Sequence, residues 1–144
     1  MSQIPTLSAH TLTSTFIDLT DQLSALRLHS LLYLSQGMSL VHMDQPLFRE
    51  EIQAWQYGPV IPEVYKYHRG QQVLTSYFAP ANTDPELRFF LTNILEASQN
   101  LSSDDIRAQT PWVHNYTNAP AMTQGTQTIA LSQMRAFFTE HPLF

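Results

Sequence analysis

The sequence predicts an α+β fold, mainly α: a compact helical domain around a buried central helix, with a small β element. Three observations predict it. Residues 25–42 are apolar on every side of a helical wheel, and residues 85–98 carry one clean apolar stripe. Between and around them lie short extended stretches broken by proline and glycine. The chain has 144 residues, 43% of them hydrophobic and 13% charged. That length suits one domain, and that composition is unlike a disordered chain.

In chain order, residues 1–11 are polar, rich in Thr and Ser, and contain Pro5. They read as a loose lead-in. Thr13 to Gln22 predicts a first short helix, with Phe16, Leu19 and Leu23 toward one side. Ser24 stands where an N-cap is needed for the main helix, Ala25 to His42. At about 100° per residue, Leu26, Leu28, Leu31, Leu32, Tyr33, Leu34, Met38, Leu40 and Val41 surround its axis. A surface helix shows a single stripe, so this one belongs at the centre. Ser30 and Gly37, two turns apart, would let another element come close. The glycine costs about 1 kcal/mol relative to alanine, which packing has to offset.

Asp44-Gln45-Pro46 reads as a turn. Leu47-Phe48 and Ile52 to Trp55 are short extended or irregular pieces that could close a small hairpin, and Gly58-Pro59 stops them. Pro62 suits the first turn of a short helix through Tyr67, ended by Gly70. Gln71 to Phe78 alternates around Val73, Thr75 and Tyr77, the pattern of a half-buried strand. Thr83 lies three residues before Glu86, a capping-box spacing, with Pro85 fit for N1. Leu87, Phe90, Leu91, Ile94 and Leu95 then make the stripe of helix 85–98, and Phe89 falls off it. Ser102 and Asp105 repeat the capping spacing for a helix to about Gln109, closed by Thr110-Pro111-Trp112. Residues 114–128 are irregular. A last helix over 129–139 is expected to bury Ala130, Met134, Phe137 and Phe138.

Composition narrows the function. The net charge is -5, from 12 acidic and 7 scattered basic residues. No basic stripe exists to neutralise phosphates, which argues against nucleic-acid binding, while an acidic field suits a basic protein partner. Cysteine is absent, so disulfides, thiolate nucleophiles and cysteine zinc sites are excluded. No stretch is long and apolar enough to span a membrane, and the start lacks a basic-then-apolar signal pattern. A cytoplasmic location is the expectation.

No reactive constellation emerges. The six histidines include no His-x-x-x-His pair, and His29 and His42 are expected polar-side out or donating to a carbonyl. No glycine-rich phosphate loop or Gly-x-Ser-x-Gly elbow occurs. Glu50-Glu51 and Asp104-Asp105 are adjacent pairs whose side chains point apart. The expectation is a protein that is not an enzyme and takes no metal or cofactor. The unusual density is aromatic: Trp55, Tyr57, Gly58, Pro59, Val60, Pro62, Tyr65 and Tyr67. Rigid backbone carrying Tyr and Trp suits a protein interface. The same rings also suit plugs against the central helix, and a mixture, Trp55 inside and some tyrosines outside, fits both. Trp55, Tyr57, Val60, Tyr65 and Tyr67 are the candidate protein-binding residues.

The stretch from Leu26 to Gly37, with Leu31-Leu32-Tyr33, resembles the leading helix of the SocA-like antitoxin family, also called Panacea domains. Pro46-Leu47-Phe48, Ile52, Ala54-Trp55, Tyr57-Gly58-Pro59-Val60 and Pro62-x-x-Tyr65 are similar to that family more closely still. Asp105-Ile106, Pro111-Trp112 and Phe137-Phe138 extend the resemblance over a domain of 12–139. There are departures. Arg27 replaces a lysine, Ser30 replaces a second one, and no histidine precedes Thr110-Pro111. The resemblance implies a small phage- or plasmid-associated antitoxin, mainly helical, with β structure near 47–56 and 71–78. It implies a cognate protein toxin as partner and, for some members, presentation of that toxin to a bacterial ATP-dependent protease. A prophage or mobile-element regulator or anti-defence protein acting on a host protein is the second reading.

Overall fold

Ser24 starts the longest helix as expected: its hydroxyl accepts the Arg27 N–H at 3.1 Å. A computed structural model describes residues 6–55, 58–108 and 127–144. In chain order the elements are α1 (Ala9–Thr20), β1 (Leu23–Ser24), α2 (Ala25–His42), β2 (Gln53–Trp55), β3 (Gly58–Val60), α3 (Pro62–His68), β4 (Val73–Leu74), α4 (Pro85–Ala97), α5 (Ser103–Ala108), β5 (Gln127–Thr128) and α6 (Leu131–Glu140). The fold is α+β and mainly α. Tyr57, Thr110-Pro111-Trp112 and the irregular stretch expected up to residue 126 lie outside the described residues. Among the described residues, no helix is long and apolar enough to cross a membrane.

Every residue of α2 from Leu28 to Leu40 is buried. α1, α4, α5, α6 and β3 pack around it. Its buried polar groups therefore cannot reach solvent and must find partners in the chain. The Gln36 carboxamide accepts the N–H groups of Leu47 and Phe48 at 2.7 and 3.1 Å. It also donates to the Phe48 carbonyl at 3.0 Å. Ser39 donates to the Gln45 carbonyl at 2.7 Å. The segment after α2 lacks a full strand ladder, and one glutamine supplies three of its hydrogen bonds. Gly37 has the packing role its spacing suggested: the Phe138 ring of α6 occupies the space where a side chain would begin.

The N-terminal lead-in is corrected. Thr6 donates to the Pro46 carbonyl, and Leu7 pairs with the 47–48 segment through its N–H to the Leu47 carbonyl at 2.7 Å. α1 starts at Ala9 rather than Thr13. Ser8 caps the His10 N–H, and the Glu50 carboxylate accepts the Ala9 N–H at 2.9 Å. Those contacts satisfy helix-start donors that would otherwise be orphaned. Further along α1, Ser14 donates to the Ala79 carbonyl and Thr15 accepts the Asn82 N–H, tying the loop before α4 to the core.

The hairpin forms differently from expectation. β2 pairs antiparallel with β3, Ala54 opposite Pro59 and Trp55 opposite Gly58, so Gly58-Pro59 build the second strand instead of stopping the first. Gly58 sits at φ 141, a region that favours glycine. Pro59, which cannot donate, lies on an edge strand, where prolines are tolerated. β5 pairs with β2 on its other side, within the stretch expected to be irregular. The second ribbon, β1 with β4, spans only Leu23↔Leu74 and Ser24↔Val73. Its inward residue is Leu74, while Val73 is 54% exposed, so the expected alternation is out of phase by one.

α4 is capped by Asp84 rather than Thr83, its carboxylate accepting the Leu87 N–H at 3.3 Å. Its stripe is buried as predicted at Leu87, Phe90, Leu91 and Ile94. The capping box before α5 is reciprocal between Ser102 and Asp105, both bonds 3.0 Å. α6 buries Met134 and Phe138 with Phe137 half-buried, but Ala130 is exposed because it is the N-cap and not part of the inner face.

Two stability outcomes follow from the surroundings of α2. Gln36→Leu strands three backbone groups; at about 1–3 kcal/mol for each buried unsatisfied group, the loss should reach about 3 kcal/mol or more in urea unfolding. Gly37→Ala should lower stability by about 1 kcal/mol, because overpacking at about 1–3 kcal/mol outweighs a helix-propensity gain of about 1. A stability equal to or above that of the parent would show that the Phe138 ring moves aside freely.

Candidate functional site

The aromatic segment is positioned by α3. Pro62 occupies its first turn, and the Ile61 carbonyl accepts the Val64 and Tyr65 N–H groups. Tyr65 and Tyr67 are two residues apart on a helix, so they diverge by about 200°. This splits the predicted residues into two groups.

Tyr65 points back over the hairpin. It meets Trp55 edge-on at 4.9 Å between ring centres and His68 edge-on at 5.4 Å. Trp55 donates its indole N–H to the Gln53 side chain at 3.0 Å, and both Trp55 and Tyr65 remain partly exposed. Val60 is buried and presents nothing to a partner, which corrects its place among the candidate contacts. It is enclosed because β3 packs between α2 and α5. Tyr57 lies outside the described residues.

Beneath Tyr65 lies a buried histidine pair that the sequence reading missed. His29 is not polar-side out: it is 3% exposed, and its Nδ1 accepts the Ile61 N–H at 3.1 Å. Its Nε2 is 2.8 Å from Nε2 of His68. The protons follow by elimination. An N–H can only donate, so His29 Nδ1 carries no proton; neutral His29 then carries it on Nε2 and donates to His68. His68 must carry its own proton on Nδ1, which has no hydrogen-bond partner among the described residues. A third proton on the pair would set N–H against N–H. Burial pushes both histidines below the usual range, His29 to about 3 with the His68 charge adding to the effect. One signal was legible: His68 follows Val64 by four residues, on the inward face of α3.

Tyr67 turns the other way and is 52% exposed. Its ring lies against His10 of α1 at 5.3 Å and Phe78 at 4.7 Å. His10 receives or donates a 2.8 Å bond with the Tyr77 hydroxyl and lies 3.3 Å from the Glu63 carboxylate. Burial raises the Tyr77 hydroxyl above its ordinary range. Lys66 pairs with Glu63 at 2.9 Å; this bond lowers the Glu63 carboxyl and raises the Lys66 amine.

The departures at the start of α2 have structural positions. Arg27 donates to the carbonyls of Ser98 and Leu101 just past α4, where the helix dipole favours a cation, and burial lowers its pKa. Ser30 is buried, so that position faces the core rather than a partner. His42 is exposed and bonds the Phe144 carbonyl. Among the described residues, no group of three or more His, Asp or Glu is placed to hold a metal ion.

Compared with known proteins, residues 28–114 match the family model described as antitoxin SocA-like, Panacea domain. The matched span begins in the first turns of α2 and takes in both aromatic groups except His10. No curated protein and no solved structure matches the chain.

The histidine pair sets a pH dependence. Unfolded histidine takes its proton near 6.5, whereas folded His29 resists it down to about 3. The unfolded state binds more protons in that window, so stability is full above about pH 6.5 and falls as pH drops, by up to about 1.4 kcal/mol per pH unit. Urea unfolding at about pH 7.5 and about pH 5 should show this loss, and His29→Asn, which keeps an acceptor for Ile61, should reduce it to the part that buried His68 contributes. Equal stability of the parent at both values would mean the pair accommodates a proton.

Proposed function

The chain belongs to the antitoxin SocA-like family, Panacea domain, and from that premise we propose that it neutralises a protein toxin by binding it directly. The family match, which covers residues 28–114, is the observation that carries the reading. The protein acts by association and not by catalysis. Masking a toxin needs a stable interface of roughly 1,000 Å² or more, with a few aromatic anchors supplying most of the affinity. Trp55, Tyr65 and Tyr67 are the proposed anchors, since each keeps ring surface at the exterior while its body is held by neighbouring rings. The net charge of -5 favours a basic toxin by steering encounter.

The test is toxicity rescue with co-purification. The product of the neighbouring reading frame is expressed with and without this chain, and a tag on one is used to isolate the other. The expected result is growth arrest relieved by this chain and a complex of defined ratio. Rescue with falling toxin levels and no stable complex would replace masking by delivery to an ATP-dependent protease. No arrest and no complex would overturn the proposal.

A further inference from the structure

We propose that the ring cluster of His10, Tyr67, Tyr77 and Phe78, with the acidic cleft beside it, is the face on which a basic protein partner docks, an arginine of that partner entering the cleft. The inference deepens the antitoxin reading and rests on it for the identity of the partner as a protein.

The cluster gathers rings from three separated segments: α1, α3 and the chain after β4. His10 stacks with Tyr77 at 5.9 Å and tilts against Phe78 at 5.1 Å, while Tyr77 and Phe78 lie 4.8 Å apart. Phe78 is 63% exposed and Tyr67 52%. Large apolar rings left outside as a contiguous group mark interaction surfaces, whereas a lone exposed ring such as Phe89 needs no explanation. The rings are also pre-ordered. The His10 bonds to Tyr77 and Glu63 fix its ring, and Lys66 sits 5.4 Å over Tyr67. A partner then meets anchors with little conformational freedom left to lose.

The cleft next to the cluster has a volume of about 510 Å³ and is lined by His10, Glu50, Glu51, Pro62 and Glu63. All three carboxylates already accept bonds. Glu50 accepts from Ala9 and Ser8, Glu51 from Gln53 and Thr128, and Glu63 from Lys66 and His10. A carboxylate has about four acceptor positions, so each retains capacity. Lys66 offsets one of the three charges, and the cleft stays acidic. Guanidinium fits this setting better than ammonium, because its planar fork donates to carboxylates in pairs and its face stacks on aromatic rings. Phosphate-bearing surfaces are repelled by the same carboxylates, which leaves a protein as the occupant.

The experiment uses the full chain, isotope-labelled, titrated with a capped peptide carrying arginines between leucines and with the same peptide carrying glutamines instead. Shifts confined to His10, Glu63, Tyr67, Phe78 and their neighbours are expected, with binding about tenfold weaker for the glutamine peptide. Glu51→Gln with Glu63→Gln, and separately Phe78→Ala, should each weaken arginine-peptide binding by about threefold or more; Phe89→Ala, a lone exposed ring on α4 outside the cluster, should not. Phe78 is exposed enough that its variant keeps the parent spectrum elsewhere. Equal binding of the two peptides, shifts at another face, or no binding at millimolar concentration would overturn the proposal. If peptide binding maps here while toxin rescue fails, the face stands and the antitoxin reading falls. If rescue persists in these variants and no peptide binds, the antitoxin reading stands and this face is refuted.

Discussion

A helix buried around its whole circumference has no water to satisfy its polar side chains, so those side chains must organise the chain packed against them. α2 meets this condition from Leu28 to Leu40. Gln36 and Ser39 hold the backbone of 45–48, and His29 holds the backbone of Ile61, where β3 gives way to α3. The first of these segments in turn supplies the partner for Leu7 and leads into Glu50, which tethers the start of α1. The small β structure and the N-terminal helix are thus seated by polar groups of a helix whose composition looks apolar. Burial of an unpaired donor or acceptor costs more than a formed hydrogen bond gains, which makes each of these contacts specific in register.

The same logic sets the surface. Because Ile61 is fixed by His29, α3 leaves the hairpin at a set rotation, and its tyrosines fall to opposite sides. Tyr65 closes a ladder running from Trp55 at the exterior through His68 to His29 in the core. Tyr67 joins rings on α1 and after β4. A binding module for proteins needs such rings exposed yet held, and the two clusters achieve this through contacts to elements that α2 already orders. Glu50, Glu51 and Glu63 line the cleft beside the second cluster, which brings negative charge next to apolar rings.

Local signals in the sequence proved legible where the physics is local. The Ser24 cap, the stripe of α4 and the reciprocal Ser102–Asp105 box all form within one or two turns, so spacing alone predicts them. Errors arose where two nearby residues compete or a distant one intervenes. Asp84 displaces Thr83 as a cap by being adjacent to Pro85. β4 is only two residues long and takes its phase from Leu23, so an eight-residue alternation misled about which side faces in. The start of α1 depends on Glu50, 41 residues away, and nothing in the lead-in itself reports that contact.

The candidate site divides in the same way. Rings of the aromatic segment were visible as a group, but not their separation into two faces or the loss of Val60 to the interior. By itself the sequence determined the central helix, the mainly helical α+β class, the acidic balance and the aromatic density of 55–67. It did so because these are properties of residue type and period. The tertiary structure alone decided that His29 meets His68 across 39 residues and that His10 meets Tyr77 across 67. Hydrophobic period records how many sides of an element are covered, whereas which partner covers each side is settled only when separate elements pack and their remaining polar atoms are matched.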